Sequence, residues 1–312
     1  MTAVDASGYE LDAVRREVLM RFVRDRYIPM RFLYAGPAVD RHLEFAESYS
    51  EDYQDGRSEQ ELSTLLEVLG HDGVPQQLCD IGPSNGVHSA QFVTGLSCLG
   101  LSCRRYLGLD FSSRMLDAAR IRLAPDLPED SRFAQWDFEA APTGAISSWR
   151  RPDGAVMLCL LGGTLGNTED PARTLRHLRA SCSPGDALVL GVFAPPPPGE
   201  DVVGPYATAV MRDTMTIPLR AAGLLDQQLE LRVELIDNAV IGTARIRSDL
   251  SLGSDSDTGA VHFAAGDEIR CFLSRRFTPL DVQGLLRAAG WRPLGKSAKR
   301  AGSYIVQLAQ RI

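Results

Sequence analysis

The sequence predicts an α/β protein built on a parallel sheet with helices on both faces. Three observations predict it. From Gln77 to Phe193, short apolar runs alternate with helical segments, the pattern of strands joined by crossover helices. The alternation stops at Ala194–Gly199, APPPPG, where four prolines can neither donate to a ladder nor continue a helix. The 312 residues are 44% hydrophobic and 23% charged, enough to bury a large core, which excludes a disordered tail protein and a small cross-linked scaffold.

The elements follow in order. Leu11, Val14, Val18 and Phe22 recur at steps of three and four, so residues 10–26 read as an amphipathic helix. Residues 30–58 are aromatic, polar and poorly periodic, and Leu62, Leu65, Leu66 and Leu69 mark a second helix. QLCDI (77–81) predicts a strand, Ser89–Leu96 a helix, and RRYLGLD (104–110) a second strand. Ser112 caps a helix through Leu123. RFAQWDF (132–138) and GAVMLCLL (154–161) are strands, Asp170 caps a helix that starts with Pro171, and DALVLGVF (186–193) is another strand. Beyond the prolines come a helix-like stretch (205–222) and an alternating strand pair around Asp237–Asn238. Residues 252–260 have the composition of a flexible loop, and EIRCFLSRRF (268–277) reads as a strand. TPLDVQGLLRAAG (278–290) has the cap asymmetry of a helix, and WRPLGKS and YIVQLAQ close the chain as a strand pair.

The formal net charge of −7 argues against a nucleic-acid partner. The longest apolar stretch, Gly154–Gly166, is broken by glycines, whereas a spanning helix needs about 20 apolar residues, so no membrane partner is expected. The six cysteines form no CxxC pair and the five histidines do not cluster near them, so no metal set is visible. They read as buried thiols of a reducing compartment, and a start without a basic-then-apolar signal agrees with a cytoplasmic location.

The strongest chemical signal is LCDIGPSNGVHS, a strand ending in Asp80, then Gly82 and Gly86, then a helix. Glycines let a backbone approach a ligand closely, and a ligand there sits at the carboxyl end of the first strand. Asp110 ends the second strand, where a carboxylate can accept from both hydroxyls of a ribose, and Asp137–Phe138 ends the third, where an acid and a ring suit an adenine. Three successive strands ending in aspartate on one rim are improbable as three independent helix caps.

This arrangement resembles the class I S-adenosylmethionine (SAM) methyltransferases. The resemblance implies SAM as cofactor, leaving as S-adenosylhomocysteine, with no metal. It places the cofactor on Asp80, Gly82, Ser84, Gly86, Asp110, Phe111, Asp137, Phe138 and Leu161. LLGGTLGN, PGDALVLG and GLDFSSRML further resemble the histidine-specific SAM methyltransferases of ergothioneine biosynthesis. FLYAGPAVDRHLEF and GDEIRCFLSRRF resemble that family's substrate segments. The implied fold is a Rossmann-like class I methyltransferase sheet with an inserted α+β substrate-binding domain. The core would be 60–194 plus 275–312, and the accessory domain 1–59 plus 195–274.

Carried over residue by residue, Asn167 falls where the family's asparagine meets the substrate's amino-acid end, beside Gly163. Tyr34, Tyr206 and Ser274 match substrate-lining positions, and Tyr49 or Tyr53 could supply a further tyrosine. His42 stands where the family has an aromatic residue, and Phe272 where it has a glutamate that binds the imidazole. A carboxylate fixes an imidazole N–H, whereas a phenyl ring offers a flat apolar wall. The expected substrate is therefore a small amino-acid-derived molecule with a larger aromatic part, such as an indole or a tryptophan-derived ring. Methylation of the α-amino group of histidine or another amino acid is the alternative. Tyr34 and His42 are candidate catalytic groups by position, with Glu51 a further candidate base. Rival readings are an NAD oxidoreductase, which lacks the third glycine at dinucleotide spacing, and a non-catalytic SAM-binding module. A monomer and a homodimer are both compatible with the acidic, arginine-rich surface.

Overall fold

The computed structural model describes residues 12–34, 36–52, 56–152, 154–253, 260–299 and 304–312. The elements up to the proline run are α1 (Asp12–Arg24), α2 (Ala38–Asp52), α3 (Arg57–Leu69), β1 (Gln77–Ile81), α4 (Val87–Cys98), β2 (Arg105–Asp110), α5 (Ser113–Leu123), β3 (Ser131–Gln135), α6 (Ala145–Trp149), β4 (Val156–Leu160), α7 (Pro171–Ser181) and β5 (Ala187–Phe193). After it come α8 (Ala209–Ala222), β6 (Leu229–Ile236), β7 (Ala239–Ile246), β8 (Leu250–Leu252), β9 (Val261–Phe263), β10 (Glu268–Arg275), α9 (Pro279–Ala288), β11 (Trp291–Lys299) and β12 (Tyr304–Arg311). Contacts divide the chain into two compact units, 1–45 with 201–274 and 46–200 with 275–312. Residues 46–59 thus group with the core unit, whereas the sequence reading puts them in the accessory segment.

The core unit holds a seven-stranded sheet in the order β11-β12-β5-β4-β1-β2-β3. β1, β2, β4 and β5 pair in parallel, as does β3 with β2, and β12 enters antiparallel between β5 and β11. Every residue of β1, β2 and β4 is buried, as expected for parallel strands covered on both faces. Alternate residues feed two apolar clusters: Cys79, Ile81, Leu107, Leu109, Leu158 and Leu160 one, and Leu78, Tyr106, Met157 and Cys159 the other. The chain runs outward from β1 to β3 and returns on the other side of β1 as β4. That reversal opens a crevice at the carboxyl ends of β1 and β4, the usual ligand position in such sheets.

The caps form as their chemistry requires. Ser112 Oγ accepts from the Met115 N–H at 3.4 Å, Asp170 Oδ1 from that of Arg173 at 2.9 Å, and Thr278 and Asp281 cap each other at the start of α9. In the accessory unit β7 lies between β10 and β6, and Asp237 and Asn238 take φ of 47° and 61°, the mirror turn that joins twisted strands. The Ile28 N–H donates to the Arg270 carbonyl at 2.7 Å, adding the segment after α1 to that sheet's edge.

Two sequence readings are corrected. The segment 30–58, read as poorly periodic, contains α2, in which Val39, His42, Ala46 and Tyr49 recur at steps of three, four and three, with Leu43 and Phe45 beside them. β3 stops at Gln135, short of Asp137–Phe138. Asp137 Oδ1 instead accepts from the N–H groups of Glu139 and Ala140 at 3.1 and 3.2 Å, a side-chain turn that competes with a ladder. Within the predicted loop 252–260, residues 254–259 lie outside the described residues.

Candidate active site

In the core unit the rim is built from turns that follow the strands. Between β1 and α4 the chain passes through Gly82, Ser84 and Gly86, all at positive φ. Gly86 has φ 80°, and a Cβ there would lie 3.0 Å from the Ala119 Cα on α5, so conformation and close packing both demand glycine. Ser84 holds φ 53° without being glycine, a strained position that surrounding bonds must maintain. One such bond joins the Ser84 backbone to the carboxylate of Asp110.

Asp110 is the pivot of the rim. Its Oδ1 accepts from the Ser112 N–H at 2.9 Å, and the backbones of Ser84 and Phe111 also bond to it. Burial pushes its carboxyl up to about 6, and these backbone donors hold it below where burial alone would put it. Asp80, also buried, accepts from the Tyr106 hydroxyl at 2.7 Å and from Ser89, while burial raises its pKa. Its carboxylate therefore anchors the β1 rim to β2 and α4. Asn85 closes the loop: its Oδ1 accepts from the Val87 N–H at 3.2 Å, and its Nδ2 donates to Glu47.

Trp136 and Phe138 follow β3, their rings edge to face at 6.0 Å, with the Trp136 N–H donating to the Ala141 carbonyl at 2.8 Å. Phe138 packs partly buried on the core, and its carbonyl meets His177 Nδ1 at 2.9 Å.

The fourth rim segment follows β4. Leu161 is buried, and Gly162 and Gly163 turn the chain at positive φ into a short 3₁₀ segment, Thr164–Asn167. Gly163 has φ 83°, and a Cβ there would run into the Phe193 ring. The Arg275 guanidinium donates to the carbonyls of Thr168 and Glu169, which fixes the residues after Asn167. Among the described residues a Cβ on Gly162 would meet nothing within 4 Å, so they leave room beside this turn. A buried acceptor at Asp110, a close-approach loop after β1 and open space beside Gly162 fit a nucleoside with an amino-acid tail.

In the accessory unit the sequence-marked residues gather into one aromatic cluster. Tyr34 meets His42 edge-on at 4.5 Å, His42 lies 6.0 Å from Phe45, Phe45 6.0 Å from Tyr206, and Tyr206 4.8 Å from Phe272. Tyr206 and Phe272 are 7% and 5% exposed, and Ser274 is buried at the end of β10. His42 Nδ1 is shielded from solvent and has no hydrogen-bond partner among the described residues. Burial lowers its pKa to about 4, so the ring is neutral at pH 7. Tyr49 lies on α2, and Tyr53 falls outside the described residues.

Sequence reasoning missed Phe45, Asn85, Ser89 and Tyr106. Phe45 could have been found from its i+3 spacing to His42, whereas the others act through partners distant in sequence. His88, at the start of α4, bonds the buried Glu61 at 2.8 Å.

Residues 57–196 match the family described as histidine-specific methyltransferase, SAM-dependent. No curated protein matches the chain. Similar solved structures include a SAM-dependent methyltransferase from Clostridium acetobutylicum, with 12% identity, TM-score 0.44, and coverage of 86% of this chain and 98% of that one. A SAM-bound amino pentose methyltransferase of calicheamicin biosynthesis from Micromonospora echinaspora has 14% identity, TM-score 0.44, and coverage of 86% and 96%. A sugar N-methyltransferase from Streptoalloteichus has 17% identity, TM-score 0.43, and coverage of 86% and 93%. The rim of aspartates and glycine turns falls within residues 57–196, the stretch that matches the family of histidine-specific, SAM-dependent methyltransferases.

Proposed function

We propose that the acceptor is a small amino-acid-derived molecule with a flat aromatic part, an indole or tryptophan-derived ring, methylated on ring carbon or nitrogen. The observation that carries this reading is the cluster Tyr34–His42–Phe45–Tyr206–Phe272, with His42 Nδ1 shielded and unpaired among the described residues. Ring faces and edges at 4.5–6.0 Å suit another ring by area and by quadrupole. A buried polar atom without a partner costs about 1–3 kcal/mol, which a ligand N–H would recover. Phe272 supplies no charge with which to grip an imidazole or an ammonium.

The cofactor residues are assigned in the core unit. Asp110 accepts the ribose hydroxyls, the Gly82–Gly86 turn takes the methionine end, and Phe138 and Asp137 take the adenine. Bound SAM supplies an electrophilic methyl on a sulfonium. The chain's own task is to hold the acceptor atom in line with that methyl and to exclude water. His42, neutral at pH 7, accepts a hydrogen bond from an indole N–H, which enriches the ring carbon opposite. Its lowered pKa makes it a hydrogen-bond partner rather than a strong base.

A second reading, N-methylation of the α-amino group of histidine or another amino acid, is favoured by the family match that spans Asn167. A SAM-consumption screen over amino acids, biogenic amines, indoles and cyclic dipeptides, with mass spectrometry locating the methyl, separates the two. Indole acceptors are expected to turn over faster than histidine. Histidine turnover equal to the best indole would overturn the aromatic reading.

A further inference from the structure

Glu61 is 0% exposed, yet nothing in its sequence context separates it from the other acids of α3. It stands between two groups of the core unit. Tyr304, the first residue of β12, donates its hydroxyl to Glu61 Oε1 at 2.6 Å. His88, in the first turn of α4, bonds the same carboxylate at 2.8 and 3.0 Å. The Tyr304 oxygen in turn accepts the backbone N–H of Gly162 at 3.0 Å.

The surroundings are shaped for this chain of bonds. A Cβ on Gly191 would collide with the Tyr304 hydroxyl and lie 3.1 Å from Glu61 Oε1, so glycine there lets the hydroxyl through. The Tyr304 ring packs edge to face with Phe193 at 5.8 Å, and Phe193 is the ring that excludes a side chain at Gly163. Burial and the neighbouring Glu61 raise the Tyr304 hydroxyl well above its ordinary value, so it remains a donor. A buried carboxylate is costly unless its oxygens are bonded, and here both are.

We infer that Glu61 is a positioning residue for methyl transfer. Through Tyr304 it fixes the amide of the Gly162–Gly163 turn, and through His88 it fixes the start of α4 behind the Gly82–Gly86 loop. The two rim segments that frame the cofactor are thereby tied to one buried carboxyl group. The inference rests on the cofactor placement proposed above, and it adds residues that no motif of the sequence indicates.

The test is calorimetric titration of SAM into the full chain, with steady-state kinetics, for wild type, Tyr304→Phe, Glu61→Gln, His88→Ala and Asp110→Ala. Tyr304→Phe is expected to weaken SAM binding about tenfold and raise KM for SAM by the same factor, leaving KM for the acceptor unchanged. Exchange of the amides at 162–164 should quicken while the sheet stays protected. Glu61→Gln should stay within about threefold of wild type, because an amide can accept from Tyr304 and still bond the His88 ring. Lowered melting temperature with wild-type SAM affinity in Tyr304→Phe would overturn the inference. Should that variant not fold, the partly exposed His88, changed as His88→Ala, decides: about threefold weaker SAM binding supports the tie, and wild-type affinity overturns it. Asp110→Ala with wild-type SAM affinity would instead sink the cofactor placement on which the inference rests.

Discussion

The core rim and the accessory cluster solve opposite problems. On the rim, polar atoms are satisfied by the protein itself: Asp110 by backbone donors, Asp80 by Tyr106 and Ser89, Asn85 by Val87 and Glu47. In the cluster, rings pack on rings and the one shielded nitrogen of His42 has no partner among the described residues. A site that binds the same cofactor every turnover gains from rigid, pre-bonded groups, since none has to reorganise. A site that selects an acceptor can leave one buried group for the ligand to complete, because molecules unable to complete it are rejected.

The largest effect should come from Asp110→Ala, which removes the acceptor at the centre of the rim. SAM affinity should fall at least about a hundredfold in calorimetry, the scale of losing two hydrogen bonds to a charged group. A loss of acceptor affinity alone would reverse the assignment of the two regions.

Gly163→Ala comes next. A left-handed Ala costs about 1–2 kcal/mol and the clash with Phe193 about 1–3 more, so denaturant unfolding should show about 2–5 kcal/mol of lost stability. A loss below 1 kcal/mol would mean the turn gives way easily and is not the rigid edge described above.

His42→Phe sharpens the contrast from the other side. It keeps a ring and deletes the nitrogen, so KM for an indole acceptor should rise about tenfold while SAM affinity holds. Unchanged acceptor kinetics would reduce His42 to packing.

The smallest effect is with pH. Asp110 is raised to about 6, so it is ionised at pH 7 and takes up a proton as pH falls through 6. Protonation removes an acceptor, so SAM affinity should drop about three- to tenfold between pH 7 and pH 5. The sign for stability is opposite. The folded pKa lies above the unfolded one, so this group stabilises the fold below the ordinary carboxylate range and loses that contribution as pH rises through 6. SAM affinity that is flat from pH 7 to pH 5 would deny Asp110 its role.

Much of the core was legible because its signals are local. β1 spans the residues its apolar run marks, Ser112, Asp170 and Thr278 cap helices, and the Asp237–Asn238 turn joins its strands. The rim aspartates were legible because strand ends and glycines mark them, although Asp137 belongs to a turn beyond β3. The accessory unit was harder to read: the stripe of α2 is made of aromatic, histidine and small side chains flanked by polar residues, and the cluster joins residues from three separated stretches of chain.

The sequence by itself determined the strand–helix alternation, the caps, the glycine turns and the break at the prolines, because backbone sterics and periodic burial act over a few residues. Only the tertiary structure decided which carboxylates are buried and what meets them. Glu61 reads as one more helix acid until folding brings Tyr304 and His88 onto it, and Asp110 rises to about 6 only when neighbouring loops remove it from water. Desolvation and long-range pairing belong to the assembled chain, and these two effects separate a rim that can be read from a network that has to be seen.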